Sequence, residues 1–360
     1  MASTGILGIG TYIPPIVRTN EWWSAEHVTR WREQMAHRAT RAEASSPAEH
    51  TSGAMATLAA LAEYADDPFR GAVERRVMPD DMTCAEMEAH AAREALSRAG
   101  VAPADVDVIL TQTPVPEHLM VNSACITHRL LELPPRCIAL GTEAACNAFA
   151  VHATLADALI RSGRARHVLS VHSSAITRTH GPSEPHSAWW GDGAAAAVFG
   201  PVADGSGLLA AVHHADGSGC DALVLGVPGL RWWEVGAVTT YAPDRVATRA
   251  MLLTIVDRSG AALRDALTEA GLDPAAVEFY AAHQGTPWLT RVTAAHAGLG
   301  NAATVVTFPS LGNMNSVNVP FILAEGERRG LLRDGMVVAT FSGGLGETWS
   351  SLVLRWGCER

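Results

Sequence analysis

The 360-residue sequence predicts an α/β protein built from two similar halves, on three observations. The first is an internal repeat: residues 95–106 read ALSRAGVAPADV and residues 266–277 read ALTEAGLDPAAV, an offset of 171 that continues into VDVILTQTP and VEFYAAHQGTP. The second is the alternation of strand-like apolar runs with helix-like stretches through both copies, the pattern of helices layered on sheets. The third is an asymmetry of chemistry. The run Gly141 to Asn147, containing Cys146, precedes Gly312 to Asn318 by the same 171 residues, so Cys146 sits in one half while His283 and Asn313 sit in the other. A period this long lies far outside the roughly 20–50 residues of solenoid repeats, which leaves a duplicated, domain-sized unit. The halves divide at 1–200 and 201–360, with an insert at about 20–80.

Each element follows from its local sequence. Ile6 to Tyr12 is a short apolar run stopped by Pro14 and Pro15, which cannot continue a central strand. Residues 20–80 have no counterpart in the second half. They carry Trp22, Trp23 and Trp31, a stretch rich in Ala, Ser and His, and Glu74-Arg75-Arg76. Surface helices and loops with aromatic packing are one reading of this insert, and a lid over a substrate channel is the other. A helical pattern over 83–99 ends at Gly100 in the manner of a glycine cap. Residues 106–110 and 136–140 read as strands buried on both faces. Helix 148–160 and strands 167–171, 194–199 and 208–212 complete the first half. The second half repeats the scheme with helix 258–270, strands 277–282 and 304–308, helix 319–328, and strands 336–341 and 350–355.

Composition excludes several function classes. A formal charge of −10 with no Lys/Arg-rich run argues against nucleic acid and anionic membrane surfaces, both of which are held through basic patches. No stretch approaches the roughly 18 apolar residues that span a bilayer, and MASTGILGIGTYIPP lacks the basic and apolar regions of a signal peptide. A cytoplasmic location follows as the default. Six cysteines (84, 125, 137, 146, 220 and 358) without a CxxC pair suit free thiols in a reducing compartment.

Chemistry concentrates at three positions. Cys146 follows a strand and a short turn and opens a helix, where the helix dipole and backbone N–H groups favour the thiolate. His283 ends the strand VEFYAA, facing the crevice where α/β sheets place ligands. Asn313 lies in a Gly-Asn turn at the repeat position of the Cys146 turn, so a two-fold-like packing brings all three residues to one crevice. The cysteine then attacks a thioester carbonyl and carries the acyl group. His283 and Asn313 donate hydrogen bonds to an oxygen that becomes negative as a second thioester forms an enolate. The stretch Phe341-Ser342-Gly343-Gly344-Leu345-Gly346-Glu347 supplies backbone N–H groups, and Gly343 with the Cys146 N–H forms a candidate oxyanion hole. Gly344, Gln284, Trp189 and Trp190 are candidate substrate contacts, the tryptophan pairs suggesting an aromatic-lined channel.

EAACNAFAVHATLADALI, HQGTPW, GNMNSVNVPFIL, WWGDGAAAAVFG and FSGGLGETWSSLVLRW, in this order, resemble the β-ketoacyl-ACP synthase III branch of the thiolase-like condensing enzymes. The resemblance implies a duplicated five-layer αβαβα fold, a homodimer, and a ping-pong mechanism with acyl-CoA or acyl-ACP as donor and no permanently bound cofactor. It implies Cys146 as nucleophile with His283 and Asn313 beside it, and Gly343 as the oxyanion glycine. His283-Gln284-Gly285-Thr286 departs from the family's usual HQAN, and PVPEHLMVNSACITHRL, HHADG and GVPGLRWWE look more like its secondary-metabolism relatives. Some of those transfer the acyl group to a hydroxyl or amine. Decarboxylative condensation with a malonyl thioester is therefore the leading expectation, and O- or N-acyl transfer with His283 as base is the alternative.

Other classes fit less well. A papain-like hydrolase lacks the duplication, a degradative thiolase would carry a second cysteine in residues 341–349, and Gly5 to Gly10 opens no helix for a nucleotide. His213-His214, or His180 with His186, lack paired ligand spacing, so no metal is expected.

Overall fold

The first half enters on β1 (Ser3–Tyr12) and continues through β2 (Ile16–Thr19), α1 (Ala25–Glu43), α2 (Ser52–Ala62) and β3 (Glu74–Val77). It then runs through α3 (Cys84–Ala99), β4 (Val108–Gln112), α4 (Ser123–Leu130), β5 (Ile138–Gly141), α5 (Ala148–Arg161), β6 (Val168–Ser174) and β7 (Gly193–Val202). The second half comprises β8 (Gly207–Ala215), a ribbon of β9 (Val224–Gly226) and β10 (Thr239–Tyr241), α6 (Arg245–Glu269), β11 (Phe279–Ala282) and α7 (Leu289–His296). It closes with α8 (Phe308–Leu311), α9 (Asn318–Arg328), β12 (Val337–Gly344) and β13 (Thr348–Arg355). This computed structural model describes residues 3–43 and 50–357, with the side chains of 36–43 outside the description; Cys358 lies outside the described residues.

The two main sheets repeat one another. The first has the order β1-β7-β6-β4-β5 and the second β8-β13-β12-β11. In each, the first two pairings are antiparallel and the third is parallel. Strand β8, grouped with the first-half strands in sequence although it lies beyond the division at residue 200, opens the second sheet in the place that β1 holds in the first. The predicted strand 304–308 is absent: the fifth position of the second sheet is held only by a bridge between Phe279 and Ala303. Its backbone is satisfied by a side chain instead. Gln284 Nε2 donates to the Val305 carbonyl at 2.7 Å, and Gln284 Oε1 accepts from the N–H groups of Thr307 and Phe308 at 2.8 and 3.1 Å. Buried backbone groups must find partners, and here an amide replaces the ladder.

Three apolar clusters define five layers. Helix α3 packs on the outer face of the first sheet through Met87, Ala92, Leu96, Ile109 and Leu169. Helices α5 and α9 fill the middle, where Phe149, Val319 and Ile322 meet Phe199 of one sheet and Phe279 and Leu352 of the other. Helix α6 covers the second sheet through Leu263, Ala266, Leu267 and Tyr280. Among the described residues no helix is long and apolar enough to cross a membrane.

Local sequence explains the ends of α3. Thr83 accepts from the Glu86 N–H while Glu86 reaches back to the Thr83 N–H, and Gly100 closes the helix at φ 63°. Helix α6 begins well before the predicted 258 because Asp244 accepts from the N–H groups of Val246 and Ala247. Strand β5, expected to be buried, is an edge strand with Ile138 59% and Leu140 46% exposed.

The insert is packed against both halves. Trp23 and Trp31 are buried with Ala188, Phe69 and Trp189, and their indole N–H groups donate to Ser187 Oγ and the Ser183 carbonyl. Helix α2 lies on α6, with Ala60 against Val256, Trp288 and Leu289. Asp257 of α6 accepts from Thr51 Oγ1 and the Gly53 N–H at the start of α2. A Cβ on Gly53 would fall 2.3 Å from Asp257 Oδ1, so a larger residue there would displace this carboxylate.

A second buried polar group sets a pH dependence. Glu88 is fully buried and accepts from the hydroxyls of Ser123, Thr127 and Ser173. Burial pushes its carboxyl up from 4.5 to about 7, against the pull of those hydroxyls. The folded state then holds this proton more tightly than the unfolded one, and its contribution to stability is lost as pH rises from 4.5 through about 7. Thermal unfolding of Glu88→Gln and wild type should give a Tm difference in favour of the variant that widens over this interval and then levels; a difference independent of pH would contradict it.

Candidate active site

Two turns, one from each half, meet between α5 and α9. In the first half Gly141 ends β5, Ala145 takes a φ of 46°, and residues 145–147 form a short 3₁₀ turn that runs directly into α5. In the second, Asn315 takes a φ of 58° and residues 315–317 lead into α9 in the same way. The structural equivalence pairs Ala145 with Asn315 and Cys146 with Ser316, one residue out of step with the repeat offset of 171. The left-handed conformation is unusual outside glycine and marks both turns as constrained. Across the gap the Cys146 thiol donates to Asn315 Oδ1 at 3.4 Å. The end of β12 presses on the same turn: a Cβ on Gly344 would fall 2.8 Å from the Ala144 carbonyl oxygen and 3.2 Å from the Asn147 Cβ.

His283 follows β11 directly, its N–H donating to the Phe341 carbonyl of β12 at 2.8 Å. Asn313 is anchored by backbone bonds to the Trp189–Gly191 segment, its N–H donating to the Trp189 carbonyl at 2.7 Å. Three amides then link these groups. Asn313 Oδ1 accepts from the Asn315 N–H at 2.9 Å and from Asn318 Nδ2 at 3.2 Å, and Asn318 Nδ2 also lies 3.0 Å from His283 Nδ1. With its oxygen occupied twice, Asn313 turns its Nδ2 the other way. One point, the Cβ position that Gly285 lacks, lies 3.0 Å from His283 Nε2 and 3.7 Å from Asn313 Nδ2. The two groups predicted to donate are therefore neighbours beside Gly285. Cys146, His283 and Asn313 each retain a slight exposure of 6–7%.

Comparison with known proteins agrees with this geometry. Residues 140–217 match the model of 3-oxoacyl-[acyl-carrier-protein (ACP)] synthase III, and residues 267–356 match that of its C-terminal part. The β-ketoacyl-[acyl-carrier-protein] synthase III of Serratia proteamaculans is 30% identical over 359 residues, covering 98% of this chain and 99% of its own. The chain belongs to the β-ketoacyl-[acyl-carrier-protein] synthase III family. It is a condensing enzyme of the ketosynthase III type, a transferase on the duplicated thiolase fold. The synthase III of Sphingopyxis alaskensis is 32% identical over 306 residues, covering 82% of this chain and 93% of its own. Among solved structures, the priming β-ketosynthase of the R1128 polyketide pathway superposes with a TM-score of 0.79 at 24% identity, covering 100% and 98% of the two chains. The synthase III of Thermus thermophilus gives 0.77 at 25% identity, covering 98% and 99%.

In this ketosynthase the resting charges differ from the sequence expectation. Burial, and then the Glu143 carboxylate, push the Cys146 thiol up to about 12, outweighing a favourable hydrogen bond to its own backbone N–H. Burial thus opposes the thiolate that the helix start favours. Burial also drives His283 down to about 4, partly offset by the Asn315 backbone carbonyl. The pair is a neutral thiol and a neutral imidazole near pH 7.

The remaining predicted contacts take other duties. Gln284 is buried and spends its amide on the backbone of 305–308, which makes it a support for the His283 segment rather than a substrate contact. Trp189 packs in the insert cluster and donates to the Pro68 carbonyl, and the Trp190 ring stacks on His180 at 5.6 Å. The Trp190 indole N–H has no hydrogen-bond partner among the described residues, and the backbone of this segment holds Asn313. Gly343 and Gly344 belong to β12, paired with Trp349 and Thr348, rather than to a loop. A Cβ on Gly343 would meet only Phe341 Cζ, at 3.9 Å.

His180 and His186 do come together with Glu184, their ligand atoms within 4.8 Å of one another, contrary to the spacing argument. His180 Nδ1 meets the Ile176 carbonyl and Glu184 accepts from Thr239 Oγ1, while His186 Nε2, 3.2 Å from Glu184, makes no hydrogen bond among the described residues. Asn315 and Asn318 were not singled out in the sequence, where they read as further turn residues of GNMNSVN. Three asparagines within six residues were the available signal.

The raised thiol makes a direct prediction. Iodoacetamide labelling of Cys146, followed by peptide mass spectrometry, should accelerate about tenfold per pH unit between pH 7 and 9. A plateau below pH 8 would show a stabilised thiolate instead.

Proposed function

We propose that this ketosynthase takes an acyl group from acyl-CoA or acyl-ACP onto Cys146 and transfers it by decarboxylative Claisen condensation to a malonyl thioester, in polyketide or other secondary metabolism. In the loading step the Cys146 sulfur attacks the donor carbonyl, the bond from carbonyl to donor sulfur breaks, and the donor thiol leaves with the Cys146 proton. The backbone N–H groups of Cys146 and Gly343 stabilise the tetrahedral oxyanion. In the second step the malonyl carboxylate leaves as carbon dioxide, and the electron pair of that bond becomes an enolate. His283 Nε2–H and Asn313 Nδ2–H hold the enolate oxygen. The enolate carbon attacks the acyl carbonyl, the bond to Cys146 breaks, and the thiolate regains a proton from solvent. No resident cofactor enters this scheme.

The observation that carries the reading is that His283 Nε2 and Asn313 Nδ2 lie beside each other on the same side of Gly285. Transfer to a hydroxyl needs a base and leaves a second donor without an oxygen to stabilise. What supports a place in secondary metabolism is the departure from HQAN at His283 to Thr286 and the Trp-rich insert. The same reading places the enzyme in the cytoplasm as a homodimer. Ile138 and Leu140 leave the edge strand β5 apolar and unpaired, ready to meet a second copy.

Intact-protein mass spectrometry after exposure to a panel of acyl-CoA and acyl-ACP donors should show an adduct on wild type and none on Cys146→Ala. The loaded enzyme should release carbon dioxide from a malonyl thioester. His283→Ala and Asn313→Ala should each retain the adduct and slow that release by about 10² to 10³. Ester formation from alcohols with no carbon dioxide release from any malonyl carrier would replace condensation by acyl transfer. Size-exclusion chromatography should move Leu140→Glu from dimer towards monomer; an unchanged elution volume would place the interface elsewhere.

A further inference from the structure

We infer that Asn318 is a positioning residue that fixes both His283 and Asn313 as hydrogen-bond donors and so withholds from His283 the role of general base. This deepens the condensation reading and rests on it.

The direction of the Asn318 amide follows from its surroundings. Asn318 is fully buried at the start of α9, and its Oδ1 accepts from the Met314 backbone N–H at 3.4 Å. A backbone N–H can only donate, so the oxygen lies on that side and the NH₂ group on the other. That NH₂ group reaches His283 Nδ1 at 3.0 Å and Asn313 Oδ1 at 3.2 Å. It cannot accept, so Nδ1 presents its lone pair and the ring proton sits on Nε2. The same reasoning orients Asn313. Its Oδ1 is identified by the Asn315 N–H at 2.9 Å, and Nδ2 is therefore the atom that faces the Gly285 gap. Asn318 thus sets the tautomer of His283 and, together with the Asn315 N–H, holds the orientation of Asn313.

The choice of tautomer is consequential. The opposite tautomer, with the proton on Nδ1, would leave a lone pair on Nε2 and make the ring a base rather than a donor at that atom. Without the Asn318 NH₂ group nothing at Nδ1 would select against that tautomer, and Nε2 could carry the lone pair. A bound water or alcohol could then pass its proton to Nε2 as its oxygen attacks the acyl carbonyl. The carbon–sulfur bond would break, and the proton would move on to the Cys146 thiolate. Asn318 therefore separates a condensing centre from one that deacylates.

Selective ¹⁵N-histidine NMR of the wild-type enzyme, with the His283 signals assigned by their loss in His283→Gln, reads the tautomer directly. The expected signature is a protonated Nε2 and a bare Nδ1. A protonated Nδ1 would overturn the inference, whatever the enzyme condenses, so its failure is distinct from failure of the condensation reading. Asn318→Asp, nearly identical in shape, accepts where Asn318 donates. After loading Cys146, this variant should condense about 10²-fold more slowly, as for loss of one donor, while deacylation by water or a small alcohol rises. An unchanged ratio of condensation to deacylation, including a parallel fall in both, would show that Asn318 merely supports the fold and would refute the assignment. If the variant does not fold, the wild-type tautomer decides alone.

Discussion

The centre of this protein depends on satisfying a buried polar cluster without any charged side chain inside it. Cys146, His283, Asn313, Asn315 and Asn318 lie between the two halves, and each finds its partner among the others or in nearby backbone. An amide left unpaired at such depth costs on the order of 1–3 kcal/mol, so the network has strong reason to remain in one arrangement. Backbone N–H groups of Met314 and Asn315 set the amide directions before substrate arrives. Donors held in place beforehand need no reorganisation when negative charge develops.

Burial has opposite effects on the two titrating members and leaves both neutral. The thiol is pushed up to about 12 and the imidazole down to about 4. A cysteine–histidine ion pair, as used by proteases with related residues, is disfavoured in such a medium. The surroundings are suited to a reaction whose charge appears on substrate oxygen and disappears within the same visit.

Much of the architecture was legible because duplication and burial both leave marks in sequence. The repeat located Cys146 and Asn313 in equivalent turns, and the apolar run ending at His283 placed that residue at a strand terminus. Less legible were features that depend on one side chain meeting distant backbone. Gln284 reads as a neighbour of His283, and only its contacts with 305–308 explain why a strand-like run forms no strand. Asn315 and Asn318 read as turn formers until the other half is placed beside them. The thiol was misjudged because a helix start is a local feature, whereas desolvation belongs to the whole fold. The exposed edge at β5 was missed for a related reason: an apolar strand looks the same whether covered by its own chain or by another.

Helices α5 and α9 have apolar contacts on both sides, one toward each sheet. A polypeptide carrying only one half would leave a greasy helix bare, and would have to pair with a twin to hide it. Joining two such units in one gene removes the need for the twin and also removes the symmetry that pairing would impose. Each copy can then drift at the shared seam, one keeping a sulfur and the other its amides, a division of labour closed to identical subunits.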